Sequence, residues 1–423
     1  MNERVITVAL QASNREADAV LASLDELEQL AETAGGLVVE THVQKRDRPD
    51  PALFIGKGKA QELAERVKRL KAQAVIFDDE LKPGQQQNLE ETISAKIIDR
   101  TRLILDIFAQ RARTREGIFQ VELAQLEYML PRMTAKFGTF EQQTGGIGTR
   151  GPGERKLEVD RRRVRDRIVL LKNQIDKIKH ERHLQREKRG RTPMPQVALA
   201  GYTNAGKSSL LNALLKRDKH DGSAVERPVY ADDKLFATLD PTTRRVRLPG
   251  GRTVLFSDTV GFIRKLPTAL VAAFRATLEE VNEADLLVHV VDGADPDWAA
   301  QYKAVVEILD ELGQRGLSRI TVFNKIDLLS PSQRATLAAQ GAVLISTRTG
   351  EGLAVLLETV ERRLAADWVE HDLRLSHTEG ARLSDVYESM EVLSKRVTAT
   401  GIRLRVRAHP ATLARFLNHD ARE

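Results

Sequence analysis

The segment Gly201-Tyr202-Thr203-Asn204-Ala205-Gly206-Lys207-Ser208 constrains this chain more than any other stretch. It fits the pattern G-x-x-x-x-G-K-S/T and follows the apolar run Val197-Ala198-Leu199-Ala200, where the pattern has a physical meaning. Glycines let such a loop curl so that successive backbone N–H groups face phosphate oxygens, and the helix that leaves it adds the partial positive charge of its N-terminus. A strand must enter the loop and a helix must leave it, so the surrounding fold is expected to be α/β with a parallel sheet. Lys207 is placed to reach the β- and γ-phosphates of a nucleotide, and the Ser208 hydroxyl to ligate Mg2+.

Strand-like runs at 196–202, 244–249, 252–258, 285–292, 318–324 and 342–346 alternate with helical stretches, which predicts a doubly wound, six-stranded, mostly parallel sheet over 193–368. Asp258-Thr259-Val260-Gly261 closes one of these strands, bringing the Asp258 carboxylate to the magnesium shell and the Gly261 N–H to the γ-phosphate. The hydroxyl-rich segment Phe236-Ala237-Thr238-Leu239-Asp240 lies between the two motifs and could close on the metal only when the γ-phosphate is present. Thr238 is the expected metal ligand there, with Thr242 and Thr243 as alternatives. Lys207, Thr238 and Gly261 are thus expected to act on the reacting phosphate, and Ser208, Thr238 and Asp258 to hold Mg2+.

Asn324-Lys325-Ile326-Asp327 follows the strand Ile320-Thr321-Val322-Phe323. Guanine presents a ring N–H and an exocyclic amine side by side, which one carboxylate can accept together; adenine offers no such pair. Asp327 therefore argues for GTP and GDP over adenine nucleotides, with Asn324 bracing the loop and Ser346-Thr347-Arg348 completing the base pocket. Two residues depart from the common pattern. Many GTPases place a water-orienting Gln after the Asp-x-x-Gly motif, whereas Phe262 stands here, so slow intrinsic hydrolysis raised by a partner is expected. Asn204 occupies the loop position where some GTPases help hold K+; that role and ordinary loop hydrogen bonding both remain open.

Outside the nucleotide fold, residues 1–112 alternate strands and helices and are expected to form a small α/β domain, with Leu21, Leu24, Leu27 and Leu30 as one helix face. Gly56-Lys57-Gly58-Lys59 reads as a turn before a helix. Over 113–192, Phe119, Leu123, Leu126, Leu130, Met133 and Phe137 recur at spacings of four and three, as do Val164, Ile168, Leu171, Ile175 and Ile178. Two helices in a long antiparallel hairpin follow, with a loop at 138–153 that holds six glycines and Pro131 interrupting the first helix. The second helix would be roughly 50 Å long at about 1.5 Å per residue. Residues 369–423 are expected to form a small C-terminal α/β domain, in which Arg403, Arg405 and Arg407 share one strand face.

The formal charge of +6 decides little until it is located. Residues 151–193 hold 15 Lys and Arg against 7 Asp and Glu, net +8, which leaves the rest of the chain at −2. A basic helical arm with a glycine-rich tip fits a phosphate backbone, and the scarcity of aromatics, 4 %, argues for contact through phosphates and shape over base stacking. The absence of cysteine excludes disulfides, thiolate metal sites and a cysteine nucleophile, and agrees with a cytoplasmic setting. No apolar run has the roughly 18–20 residues of a membrane span. The opening MNERVITVAL lacks the pattern of a secretory leader.

The stretch Gly145-Gly-Ile-Gly-Thr-Arg-Gly-Pro-Gly-Glu154, then Asp160-Arg-Arg-Arg163, the phosphate loop, Phe236 to Asp240, Asp258 to Phe262 and Asn324 to Asp327 together resemble the HflX family of ribosome-associated GTPases. The likeness spans nearly the whole chain, Phe262 included, and is weakest over the last 50 residues. It implies a Mg2+-dependent GTP hydrolase that binds the large (50S) ribosomal subunit and its rRNA, with roles in splitting stalled ribosomes under stress or in subunit maturation. It also implies that the 138–153 loop reaches toward the peptidyl-transferase region. A monomer is expected. The alternatives are an RNA-stimulated remodelling enzyme that uses ATP as well as GTP, and a non-hydrolysing RNA-binding scaffold.

Overall fold

The computed structural model describes residues 3–13, 16–133, 152–189, 194–218, 235–236, 241–265, 284–311, 313, 317–366, 368–398, 400–408, 413–414 and 416–417. Among them, thirteen strands form three sheets. The chain divides into two compact units, one of Met1–Lys179, Asp232–Leu239 and Arg264–Arg275, the other of His180–Ala231, Asp240–Ile263 and Ala276–Glu423.

In the first unit β1 (Glu3–Gln11), β2 (Gly36–Lys45), β3 (Ala74–Phe77) and β4 (Lys96–Asp99) make a parallel sheet in the order β2-β1-β3-β4. Helices α1 (Ala17–Thr33), α2 (Lys57–Leu70), α3 (Pro83–Ile93) and α4 (Arg100–Arg111) connect or follow its strands. The inner strand β3 and its neighbour β4 are short, four residues each, and buried, and Ile6, Val8, Ile55, Leu63, Val75, Phe77 and Leu89 form one core. The buried stripe of α1 is Val20, Leu24, Leu27, Leu30 and Ala31. Leu21, expected on that face, is 53 % exposed, because 20, 24, 27 and 31 follow the 3.6-residue period more closely. Gly56 is the extended residue before α2, as a turn there requires.

Helix α5 (Arg115–Arg132) starts at Thr114, whose hydroxyl accepts from the Gly117 N–H at 3.0 Å, and Pro131 sits in its last turn. Its fully buried residues include Gln120, Val121, Ala124 and Tyr128, while Phe119, Leu123, Leu126 and Leu130 are only half-buried. The expected seam is therefore the secondary face of this helix. Helix α6 (Pro152–Arg189) buries Ile168, Leu171 and Ile175, as its spacing predicts. Two ion pairs tie it to α5, Arg167 to Glu122 at 2.7 Å and Lys172 to Glu127 at 2.9 Å. Phe137 and the loop at 138–153, apart from its last two residues, lie outside the described residues.

In the second unit β5 (Gln196–Gly201), β6 (Thr242–Arg247), β7 (Thr253–Asp258), β8 (Leu286–Asp292), β9 (Arg319–Asn324) and β10 (Val343–Leu344) form a six-stranded sheet in the order β10-β9-β8-β5-β7-β6. All neighbours run parallel except β6 and β7. Val197, Leu199, Leu210, Leu211, Leu214, Val254, Phe256, Val288 and Val290 are at most 1 % exposed in its core. Helix α7 (Lys207–Asp218) leaves the central strand β5 and packs Leu210, Leu211 and Leu214 inward.

A three-stranded antiparallel sheet ends the chain: β11 (Val369–Leu375), β12 (Glu391–Thr398) and β13 (Gly401–Ala408), in the order β11-β13-β12. Leu373, Leu375, Leu404, Val406 and Ala408 face the helix Gly380–Ser389 through a core that includes Val386 and Met390. No helix among the described residues is long and apolar enough to cross a membrane.

Candidate nucleotide-binding site

The loop after β5 is held by its own backbone. Thr203 N–H donates to Phe262 O at 2.8 Å, and Phe262 N–H donates to Gly201 O at 3.1 Å, so the phosphate loop and the Asp258-Thr-Val-Gly261 segment are paired like short strands. Gly206 has a φ of +93°, and a Cβ there would lie 2.2 Å from Asn324 Nδ2. Only glycine lets the loop pass this close to the segment after β9. Asn204 is exposed and left-handed at φ 59°. Tyr202 and Ala205 are buried, as is Thr203, at 7 % exposure.

Lys207 opens α7 and folds back over the loop, donating to Gly201 O at 3.1 Å and Tyr202 O at 2.8 Å. Burial pushes its pKa down to about 8, and the neighbouring Asp258 carboxylate opposes that shift. Next to it, Ser208 Oγ donates to Asp258 Oδ2 at 2.6 Å. The hydroxyl and carboxylate that the sequence assigns to one metal shell are thus in direct contact at the carboxyl edge of β5 and β7. This is an all-oxygen pair of the kind a hard cation takes. Thr259 Oγ1 donates to Leu199 O at 2.7 Å, so it fastens the segment to β5 and does not face a ligand. Val260 is 7 % exposed, and Gly261 packs so tightly that a Cβ would meet Thr203 Cγ2 at 2.8 Å and Lys207 Nζ at 3.0 Å.

The base loop is built around Asn324, which is 1 % exposed. Its Nδ2 donates to Ala205 O at 2.9 Å and its Oδ1 accepts from Thr347 N–H at 3.1 Å, bracing the phosphate loop and the 346–348 turn together. Asp327 Oδ1 accepts from Ser346 Oγ at 2.7 Å, and Arg348 Nη1 lies 4.0 Å from Asp327 Oδ2. Ile326 is buried at 2 % exposure. Lys325, left-handed at φ 64°, places Nζ 2.6 Å from Asp292 Oδ2. Sequence reasoning missed Asp292, yet it closes β8 in register with Asn324, and an acid ending an apolar strand is the signal that marks Asp258.

The segment between the motifs is described only in part. Ala237, Thr238, Leu239 and Asp240 lie outside the described residues. Phe236 is 2 % exposed and meets the Phe108 ring edge-on at 4.5 Å, within the first unit. Of the alternative threonines, Thr242 stands in register with Asp258, and the Thr243 hydroxyl lies 2.8 Å from Ser257 Oγ. Phe262 is 3 % exposed, so its ring is part of the packing. Elsewhere, His289 stacks on Tyr302 at 4.7 Å and burial pushes its pKa down to about 3, so it is a neutral core residue. Among the described residues no group of three His, Cys, Asp or Glu could hold a metal ion.

Three family models match the chain: a GTP-binding GTPase N-terminal region over residues 21–109, a GTP-binding GTPase middle region over 111–189, and a 50S ribosome-binding GTPase over 196–325. A GTPase HflX of Lacrimispora saccharolytica is 44 % identical over 95 % of this chain and 92 % of its own length. That of Caldanaerobacter subterraneus is 49 % identical over 86 % of this chain and 81 % of its own. That of Escherichia coli is 42 % identical over 92 % and 90 %. A solved GTP-binding protein from Sulfolobus solfataricus in complex with GDP aligns with a TM-score of 0.44 at 22 % identity, over 85 % of this chain and 98 % of that one.

Proposed function

The chain belongs to the HflX family of GTPases, which hydrolyse GTP, and from that premise we propose that it binds the large (50S) ribosomal subunit in its GTP form and leaves after hydrolysis. The observation that carries this reading is the basic helix α6, in the stretch of net +8, inside the match to the middle region of GTP-binding GTPases. The 50S ribosome-binding description of the matched nucleotide-fold model supports the same partner. Splitting of stalled ribosomes or subunit maturation, in the cytoplasm and by a monomer, is the physiological setting proposed. Four domains serve it: 1–112, the arm 113–192, the nucleotide fold 193–368 and 369–423.

In this reading the N–H groups of Gly201–Ser208 surround the phosphates, and Lys207 leaves its carbonyl partners for the β- and γ-oxygens. Ser208, Asp258 and Thr238 would hold Mg2+, which supplies charge neutralisation for the developing negative charge on the phosphates. The Gly261 N–H meets the γ-phosphate, so loss of that group frees the segment it belongs to. Asp327 accepts the two guanine donors while Ser346 fixes its orientation. Tyr202, Thr203 and Ala205 shape the loop, and Lys325, Ile326, Thr347 and Arg348 frame the base. Asn204 has the exposure and left-handed turn to face a K+ ion, and exchange of K+ for Na+ with unchanged turnover would retire that role.

With Phe262 buried in place of a water-orienting amide, unassisted turnover is slow. The deciding experiment is GTP turnover with and without purified large subunits. Stimulation of at least about tenfold supports the reading, and equal rates with no co-sedimentation overturn it.

A further inference from the structure

The register of the C-terminal sheet lines up charges from three separate stretches of sequence. Arg374 of β11 stands opposite Arg403 of β13, and Arg396 of β12 stands opposite Arg403 on its other side. Three guanidinium-bearing residues therefore form one row across the three strands, spanning about 10 Å at the usual strand spacing. Because residues two apart share a sheet face, Asp372, Arg405 and Ser394 form the next row, and Glu370, Arg407 and Glu391 the third.

The rows differ in how their charges are met. Arg405 donates to Glu370 Oε2 from Nε at 3.1 Å and from Nη2 at 2.8 Å. Glu391 lies 3.8 Å from Arg252, which is buried under the Trp368 ring. Arg374, Arg396 and Arg403 are exposed, and among the described residues none of them makes a hydrogen bond or an ion pair. Like charges directly opposite one another destabilise a ladder, and here three are adjacent without a counter-charge. Such a row is compensated when an external polyanion lies across it.

We infer that this row is a second RNA-binding surface, on which the phosphate backbone of an RNA strand lies across β11, β13 and β12. The chemistry of the face selects that partner. An interface for a folded protein is anchored by aromatic or aliphatic side chains that fill pockets, and the three rows contain none. A guanidinium fork matches phosphate oxygens in a bidentate way, and three of them on a rigid sheet hold the row at fixed spacing. No matched family model reaches beyond residue 325. The inference extends the RNA reading of the arm but does not need it, since the two surfaces are separate in sequence.

The test uses the full chain and a labelled A-form RNA hairpin, titrated at several salt concentrations. The arm is neutralised as an RNA contact by Arg161→Glu, Arg162→Glu and Arg163→Glu, so that loss of arm binding and loss of sheet binding are read apart. On that background, changing Arg374, Arg396 and Arg403 together to Gln is expected to lower the slope of log affinity against log salt by about 2 to 3, close to one unit per phosphate contact. Changing the same three to Lys is expected to keep most of the slope. GTP affinity reports folding, because the sheet is outside the nucleotide site. An unchanged slope with the Gln set overturns the inference, and so does poly-glutamate binding with the same affinity and salt slope as the hairpin.

Discussion

Lys265 sets its ammonium on the buried carboxylate of Asp78, at the carboxyl end of β3, and lies 2.9 Å from Asp79 as well. Asp78 also accepts from Arg100 at 2.6 Å and from Ser23 at 2.8 Å, and Arg100 reaches Glu26 at 2.6 Å. Arg100 is 1 % exposed and pairs with two carboxylates in the core, so Arg100→Ala, which leaves Asp78 to Lys265 and Ser23, is expected to cost about 3 kcal/mol. Lys265 is 30 % exposed and Arg100 remains when it is removed, so Lys265→Ala is expected to cost about 1 kcal/mol or less. Thermal unfolding of both variants checks the ranking, which a larger loss for Lys265→Ala would reverse.

Lys207, as the proposed phosphate ligand, is expected to give nucleotide binding a pH dependence. Burial lowers its pKa to about 8 in the free protein, whereas bound phosphates favour the ammonium form. Above about pH 8 binding must take up a proton, so GTP affinity is expected to fall by up to about tenfold per pH unit. The free folded protein carries fewer protons than the unfolded chain between about 8 and the ordinary 10.5, so its stability is expected to rise across that window. Calorimetric titration in two buffers of different ionisation enthalpy measures the uptake, and Lys207→Ala is expected to abolish both it and turnover.

In the proposed reading, base choice rests on Asp327. Asp327→Asn removes the acceptor for two guanine donors and is expected to weaken GTP roughly a hundredfold or more. Xanthine presents a carbonyl where guanine has its amine, so the same variant is expected to gain xanthosine triphosphate. Competition among GTP, XTP and ATP decides it. ATP competing with the unchanged chain as well as GTP would show that Asp327 does not select the base.

Phe262→Gln would place an amide in a buried ring site. Without a partner for that amide the substitution is expected to cost about 1–3 kcal/mol. It is not expected to raise unassisted turnover, because the side chain at 262 points into packing. A tenfold faster basal rate in single-turnover measurements would refute this placement.

Charge reversal at Arg161, Arg162 and Arg163 is expected to weaken co-sedimentation with large subunits and leave GTP affinity unchanged. Arg162 and Arg163 are exposed on α6 and Arg161 is half-buried, so thermal unfolding of the variant is measured alongside. Unaltered co-sedimentation would remove the arm from the interface.

The nucleotide fold was legible because each of its loops carries chemistry that strand ends alone can position. The motifs at 201–208, 258–261 and 324–327 each mark the end of β5, β7 or β9. Strand β12 was not legible. Its sequence lacks a clean alternation because the register shifts between Val392 and Ser394, where a bulge interrupts the period of two. On α5 the large side chains Phe119, Leu123, Leu126 and Leu130 mark one face, while smaller or polar residues, Ala124 and Gln120 among them, line the better-buried one. The link between Lys265 and Asp78 joins positions 187 residues apart, and no local pattern announces such a pair.

Phe236 and Lys265 each belong to short stretches that cluster with residues 1–179 and not with the rest of the nucleotide fold. Dissection of this protein at the start of β5 would therefore separate Phe236 from Phe108 and Lys265 from Asp78 and Asp79. A fragment beginning there would keep every nucleotide motif, yet the stretches that hold Phe236 and Lys265 would have lost their anchorage in residues 1–179, so its kinetics would not stand for those of the whole chain.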